Sequence, residues 1–301
     1  MDIQLGVNTC FAVKRWPGVE DWLPIVRDRL GLRLVQHSFD LVVDGADPAI
    51  AAVLGRTVQA GGLELHSTFT GLAAYSRNLL GDPDPVARAA ATDWYEWAIG
   101  WTAAAGGRAT GGHVGALSVA DWTDPDRRTA AWRSLRESLS RLAGVARDAG
   151  LDYLMVENLA AAREPSTMEN VRSLLYDGDA GRAPIRLCLD VGHMCVEGTS
   201  GSDRDPYAWL RELGPVAPVV QLQQSDAGGD HHWPFTADRN AVGRIDADRV
   251  LEALGESGTE ACDLVLEVIP PFEQADEAVL DDLVVSSEYW LEALARHGLP
   301  T

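Results

Sequence analysis

Four apolar runs in the sequence end in a side chain that carries an oxygen ligand. They are "LMVEN" with Glu157, "LCLDV" with Asp190, "VVQLQQ" with Gln223 and "LVLEV" with Glu267. If these runs are neighbouring strands, their three carboxylates converge, and each raises the pKa of the others unless a positive charge joins them. A divalent cation supplies that charge, with Gln223 as a fourth, neutral ligand. Such an oxygen-rich set favours Mn²⁺ or Mg²⁺ over Zn²⁺ and also admits Co²⁺ or Ni²⁺.

The elements that must position these side chains alternate along the chain. Eight strand-like runs occur: "IQLGVNT" near 3, "LRLVQHS" near 32, "LELHSTF" near 63, "ATGGHVGA" near 109, "DYLMVEN" near 152, "IRLCLDV" near 185, "PVVQLQQ" near 218 and "DLVLEVI" near 263. Helical spacing of apolar residues predicts a helix from Val86 that ends at Gly106. A second helix is predicted from Asp124, as N-cap before Pro125, to Gly150.

Strands that alternate with helices pair in parallel through right-handed crossovers. Eight such units in a chain of 301 residues predict a (β/α)8 TIM barrel, with residues 1–301 forming a single domain. An open doubly wound sheet is the competing layout, but no GxGxxG motif follows the first strand. In a barrel the carboxyl ends of the strands meet on one face, so the four ligand residues share its mouth. A lone strand-end carboxylate often only caps a helix, whereas a set on successive strands favours a shared site.

The charge of the chain limits its partners. It carries 25 basic and 45 acidic residues, a formal net charge of −20, and Lys14 is its only lysine. An extended polyanion such as DNA would be repelled, so no nucleic-acid partner is expected. The N-terminal stretch "MDIQLGVNTC" lacks a basic region followed by an apolar core, and no apolar run is long enough to span a bilayer. We therefore expect a cytoplasmic protein without a membrane partner.

The strand-end residues resemble the metal site of the xylose-isomerase-like barrel superfamily, which includes ketose 3-epimerases, sugar isomerases, inosose dehydratases and endonuclease IV. In the ketose 3-epimerases the ligands are Glu, Asp, His and Glu on strands five to eight, and Gln223 stands at the histidine position. The resemblance implies that Glu157 and Glu267 are the catalytic acid–base pair. It also implies that Asp190 and Gln223 hold the ion, Mn²⁺ before Mg²⁺ or Co²⁺, and that His193 contacts the substrate oxygens.

Two longer stretches are similar to one branch of that superfamily. "LHSTFTGLAAYSRNLLGDPDP" after strand three and "QLQQSDAGGDHHWPFT" after strand seven resemble the tetrulose-phosphate epimerases. The implied activity is epimerisation at C3 of a small ketose or ketose phosphate, with erythrulose 1-phosphate as the best candidate. The oligomeric state stays open, with a homodimer through the outer helices as the arrangement that the resemblance favours.

Further polar residues follow the predicted strands and are expected to bind the substrate at the mouth. Six of the seven histidines lie at or just beyond predicted strand ends, His37 among them. The expected substrate-binding residues are Asn8, His66, Arg77, His113, His193 and His232. Arg77 in "AAYSRN" offers paired donors that suit a phosphate.

Three other functions remain open from the sequence. One is a metal-dependent aldose–ketose isomerase of the same superfamily, and another is a sugar sensor without catalysis. The third is an endonuclease IV-like phosphodiesterase with three metal ions. Its ligands would be His66, His113, Glu157, Asp190, His193, Asp230, His232 and Glu267, with Gln223 in the ninth place. The negative charge of the chain weighs against this third reading.

Overall fold

The fold is a closed barrel of eight parallel strands, seen in a computed structural model that describes residues 1–301. The strands are β1 (Asp2–Asn8), β2 (Leu34–Ser38), β3 (Glu64–Phe69), β4 (Ala109–Gly112), β5 (Tyr153–Glu157), β6 (Ile185–Asp190), β7 (Val219–Leu222) and β8 (Ala261–Leu266). Each strand pairs with its successor in the chain, and β8 returns to β1, where Leu264 lies opposite Leu5. All eight predicted runs contain a strand, which confirms the predicted TIM barrel.

Helices cover the outside of the barrel. They are α1 (Val19–Pro24), α2 (Pro48–Ala60), α3 (Pro85–Ala105), α4 (Val119–Thr123), α5 (Pro125–Ala149), α6 (Met168–Arg172), α7 (Pro206–Leu213), α8 (Ala237–Val242), α9 (Ala247–Ser257) and α10 (Asp276–Arg296). The main core lies between these helices and the strands, and it fully buries Trp22, Trp101, Trp209 and Trp290. None of the helices combines the length and the apolar character that a bilayer crossing needs.

The two long helices that the sequence predicts end at the expected residues. The Asp84 side chain accepts from the backbone of Val86 at the start of α3, and Asp124 caps α5 in the same way. Gly106 and Gly150 end these helices in the left-handed conformation, with φ of 81° and 83°. Because glycine lacks a Cβ, it adopts this conformation without the steric cost that other residues bear.

The interior of the barrel changes from apolar to polar along its axis. A small apolar cluster fills its middle, with Phe69, Tyr153, Met155, Cys188, Val219 and Val265 among its members. Polar side chains replace it toward the carboxyl ends of the strands, where they are almost completely buried. The barrel therefore places an unusually polar interior directly under its mouth.

His37 was expected at the mouth, and this expectation is wrong. It is the fourth residue of β2 and points outward, where its ring stacks on Trp101 and packs against Trp22, with centroids 6.0 and 5.6 Å away. Burial lowers the pKa of His37 from 6.5 to about 4. Between about pH 4 and pH 6.5, His37 is therefore protonated in the unfolded chain but not in the folded protein.

This shift predicts a pH dependence of stability. Since the pKa of His37 is depressed in the folded state, its contribution is complete above pH 6.5 and is lost as pH falls toward 4. The loss amounts to about 3 kcal/mol for a shift of this size. Urea unfolding of wild type and His37→Phe at pH 7 and pH 4.5 measures it, and the variant should show the smaller drop. Equal drops in the two proteins would contradict the assignment.

Candidate active site

Three carboxylates meet at the mouth of the barrel. Glu157 and Asp190 are the last residues of β5 and β6, and Glu267 directly follows β8. One oxygen from each lies within 4.8 Å of the others, and none of the three residues is more than 2% exposed. The structure therefore brings together the three acidic residues that the sequence predicted to converge.

The three carboxylates need positive charge nearby to offset their mutual repulsion. Burial raises the pKa of both Glu157 and Glu267 well above the ordinary carboxyl range, and the charge of Asp190 raises both further. Burial alone would lower the pKa of His193, but the carboxylates of Asp190 and Asp230 raise it well above its ordinary value. A proton on His193 thus supplies part of the missing charge.

Gln223 lies beside the cluster, but its amide is turned the other way from the expected ligand. Its nitrogen donates to both oxygens of Asp190 at 3.1 and 3.2 Å and to Asp230 at 2.7 Å. Its oxygen accepts from the backbone N–H of His232 at 2.6 Å. Rotating the amide would break these bonds and set an oxygen against two carboxylates. In this geometry Gln223 orients Asp190, and its expected role as fourth metal ligand stays a prediction.

His193 and His232 face the cluster as predicted. His193 Nδ1 donates to the carbonyl of Asn158 at 2.7 Å, and its fully buried Nε2 lies 3.3 Å from Asp230 Oδ2. His232 Nδ1 donates to the carbonyl of Glu267 at 3.1 Å, while its Nε2 lies 3.2 Å from Asp230. His232 adopts a φ of 48°, a strained value for a non-glycine residue that is characteristic of functional loops. Sequence spacing indicated both histidines, but the role of Asp230 in joining them emerges only from the fold.

Tyr75 reaches the cluster from a loop, and sequence reasoning missed it. Its hydroxyl is 3.0 Å from both oxygens of Glu157. The short turn Leu72–Ser76 carries it, and the Asp40 carboxylate accepts from the first two backbone N–H groups of that turn. Gly71 precedes the turn with a φ of 78°, and a Cβ there would lie 2.6 Å from Asp40. The sequence pointed to Arg77 in the stretch "AAYSRN", yet the residue that faces inward is Tyr75.

Two predicted substrate-binding residues contact Glu267 and Tyr75. Asn8 donates from Nδ2 to Glu267 at 3.0 Å and accepts through Oδ1 from the backbone of Cys10. His113 packs edge-on against the Tyr75 ring, with centroids 5.0 Å apart, and its Nε2 lies 3.2 Å from Glu164. Both side chains therefore support residues of the cluster.

His66 is not at the mouth, which corrects the prediction. It is the third residue of β3, and its Nε2 lies 3.1 Å from Asp263 and 3.2 Å from the Tyr153 hydroxyl. Tyr153 begins β5 and Asp263 lies early in β8, so these groups form the floor of the barrel. The three-metal phosphodiesterase reading loses one of its required ligands.

Arg77 is also outside the site. A cavity of about 260 Å³ above the carboxylates is lined by Tyr75, Asp230, His232 and Glu267. Arg77 is exposed and lines a different cavity of about 770 Å³ on the outer side of the Leu72–Ser76 turn, which shares no residue with the first. The turn thus separates Arg77 from the cluster.

The residues present fit a divalent cation. The three carboxylates place hard oxygen donors within 4.8 Å of one another. Asp190 also belongs to a second set with equally close ligand atoms, formed with His193 and His232. Glu157, Asp190 and Glu267 could therefore hold a cation of the Mn²⁺ or Mg²⁺ type.

Known proteins resemble the chain over nearly its whole length. The chain is 29% identical to the D-erythrulose 1-phosphate 3-epimerase of Brucella abortus (strain 2308), over 96% of each chain. A solved xylose isomerase candidate from Rhodospirillum rubrum ATCC 11170 is 32% identical, with a TM-score of 0.88, over 96% of this chain and 99% of the other.

More distant solved structures share the fold. The D-psicose 3-epimerase of Clostridium cellulolyticum H10 is 16% identical with a TM-score of 0.72, and the alignment covers 97% of this chain and 99% of that enzyme. The model of the xylose isomerase-like TIM barrel family matches residues 28–282. The chain therefore belongs to the xylose isomerase-like TIM barrels.

Proposed function

We propose that the protein is a metal-dependent epimerase that inverts C3 of a small ketose or ketose phosphate, with D-erythrulose 1-phosphate as the preferred candidate. The observation that carries this proposal is the pair of buried glutamates, Glu157 and Glu267, that share one cluster below an open cavity. The similarity to an erythrulose-phosphate epimerase over 96% of the chain supports the substrate class.

Inverting a carbon next to a carbonyl requires one group that removes its proton and another that returns a proton on the opposite face. Glu157 and Glu267 enter the cluster from β5 and from the end of β8, so they can approach a bound sugar from different sides. Burial raises the pKa of both carboxyl groups above the ordinary range, so each takes up a proton more readily than an exposed glutamate. A bound cation would polarise the carbonyl and hydroxyl oxygens of the sugar and so acidify its C3 proton.

The other residues of the site orient these two groups and the substrate. Tyr75 holds both oxygens of Glu157, and burial raises the pKa of its phenol well above the ordinary value, so it stays a hydrogen-bond donor. His193 Nε2 lies 3.3 Å from Asp230 and, when protonated, can donate to a substrate oxygen as well.

The phosphate end of the substrate would lie on the side of His232. A second cavity of about 480 Å³ shares His232 with the cavity above the carboxylates, and His231, Trp233 and Arg239 also line it. The Arg239 guanidinium lies over the Trp233 ring at 4.5 Å, and the His231 ring stacks on Trp233 at 3.9 Å. Arg239 and His231 therefore replace Arg77 as the proposed phosphate contacts.

We expect metal-stripped protein to bind one Mn²⁺ and to melt at a higher temperature once loaded, because the cation relieves repulsion within the cluster. Asp190→Asn should weaken Mn²⁺ binding by about tenfold or more, the loss that even an outer partner of a metal ligand can cause. Calorimetric titration measures this affinity. Asp93→Asn, which changes an exposed carboxylate on α3, is the control. Unchanged affinity in Asp190→Asn would exclude this cluster as the metal site.

Glu157→Gln and Glu267→Gln should each abolish epimerisation even with metal bound, because an amide accepts no proton. Proton NMR in D₂O, after removal of the paramagnetic ion, identifies the exchanging carbon of the ketose. Exchange at C3 indicates an epimerase, and exchange at C1 indicates the alternative aldose–ketose isomerase. Glu169→Gln changes an exposed glutamate of α6 and should remain fully active. An active double variant, Glu157→Gln with Glu267→Gln, would rule out the mechanism.

Wild type should prefer a tetrulose phosphate over the free tetrulose by about tenfold or more in kcat/KM, the effect of one charge-assisted contact. Arg239→Ala should lower kcat/KM for the phosphate ester and leave that for the free sugar nearly unchanged. Arg77→Ala is the matched control and should resemble wild type on both. Equal efficiency of wild type on the two sugars would favour a ketose 3-epimerase for unphosphorylated substrates.

A further inference from the structure

Three buried amides lie beneath Glu267 inside the barrel, on strands where an apolar interior is usual. Asn8 ends β1, Gln36 lies in β2 and Gln221 lies in β7, and all three are 0% exposed. Burying an amide is costly unless its hydrogen-bonding groups find partners. Their arrangement around Glu267 therefore calls for a functional reason.

The amides form a cradle for one oxygen of Glu267. Its Oε1 accepts from Asn8 Nδ2 at 3.0 Å and from Gln221 Nε2 at 2.9 Å. The same two nitrogens also donate to Gln36 Oε1, each at 2.9 Å. Because an amide nitrogen carries two hydrogens, both nitrogens are fully used by these contacts.

Partners outside the cradle fix the orientation of two of its amides. Asn8 Oδ1 accepts from the backbone N–H of Cys10 at 2.9 Å, and Gln36 Nε2 donates to Ser67 Oγ at 3.2 Å. Ser67 Oγ in turn lies 3.0 Å from His66 Nδ1, which connects the cradle to the barrel floor. Rotating the amide of Asn8 or Gln36 would break these bonds. It would also place donors against donors and acceptors against acceptors.

The amide of Gln221 keeps its orientation although this leaves one of its buried polar atoms unpaired. Its Oε1 is buried without a hydrogen-bond partner, a state that proteins generally avoid. The reversed amide would set that oxygen against the Glu267 carboxylate and against Gln36 Oε1. The protein thus leaves an acceptor unpaired and keeps two N–H donors on the Glu267 side.

We propose that Gln221, backed by Gln36, is a positioning residue for Glu267. The cradle holds Oε1 and leaves Oε2, which has no partner in the protein, to exchange a proton with C3 of the substrate. The inference rests on the proposed epimerase function. Glu157 is held instead by Tyr75, so loss of the cradle impairs one of the two acid–base groups and spares the other.

This asymmetry defines the experiment. One of the two epimers loses its C3 proton to Glu157. With this epimer, Gln221→Met should still allow Glu157 to remove and return a proton, but it should slow the delivery of a proton by Glu267. Mass spectrometry in D₂O measures how much deuterium enters the recovered substrate relative to the amount of product formed. This ratio should be at least about tenfold higher for the variant than for wild type. The other epimer should show no such increase. Gln36→Met should produce the same asymmetry to a smaller extent.

Gln224→Met is the matched control, because this amide follows β7 but bonds to Asn240 and Ile245 on the outside of the barrel. It should leave the ratio of exchange to epimerisation unchanged for both epimers. An unchanged ratio in Gln221→Met, whether or not both epimers are slowed, would overturn the positioning role.

A structural measurement separates this inference from the proposed function. If wild type exchanges no ketose, the proposed function is wrong, and crystal structures of wild type and Gln221→Met decide the positioning role by themselves. Displacement of the Glu267 carboxylate by more than about 0.5 Å supports it, since reacting groups must be held within that distance. An unmoved carboxylate overturns it.

Discussion

The rest of the site depends on the burial of three carboxylates within 4.8 Å of one another. Like charges at this distance in a medium of low polarity repel strongly, so the fold must supply opposing charge or donors. It supplies both: His193 carries a raised pKa, Tyr75 donates to Glu157, and buried amides donate to Glu267. Glu267 lines the cavity above the cluster, and its Oε2 stays without a hydrogen-bond partner.

The sequence predicts the position of the cluster because barrel geometry leaves little freedom at strand ends. Once eight strand–helix units are recognised, the last residue of a strand must face the mouth or its rim. Glu157, Asp190 and Glu267 occupy such positions, and the structure brings them together. Helix boundaries are predictable for a similar reason, since Asp124 and Gly150 have local conformational preferences that need no tertiary context.

Positions within a strand and the direction of a side chain could not be predicted in this way. His37 and His66 were placed at strand ends, but β2 and β3 continue beyond them, and alternation along a strand decides which face each ring occupies. A register shift beside Gln36 further changes the alignment of these two strands. The orientation of Gln223 depends on the backbone N–H of His232, in the loop that follows the same strand, and the path of this loop cannot be read from a local pattern.

The two glutamates are held by different parts of the molecule, and this difference shapes how the site can evolve. Tyr75 approaches Glu157 from a loop at the mouth, a region where sequence changes are tolerated, whereas Gln221 approaches Glu267 from inside the barrel. A change in the loop can alter the substrate cavity and Glu157 together. The cradle is packed among strands, so it keeps Glu267 in place while the loops vary. If Glu157 and Glu267 form the proposed acid–base pair, a rigid group beside an adjustable one would let the site accept another substrate without rebuilding its chemistry.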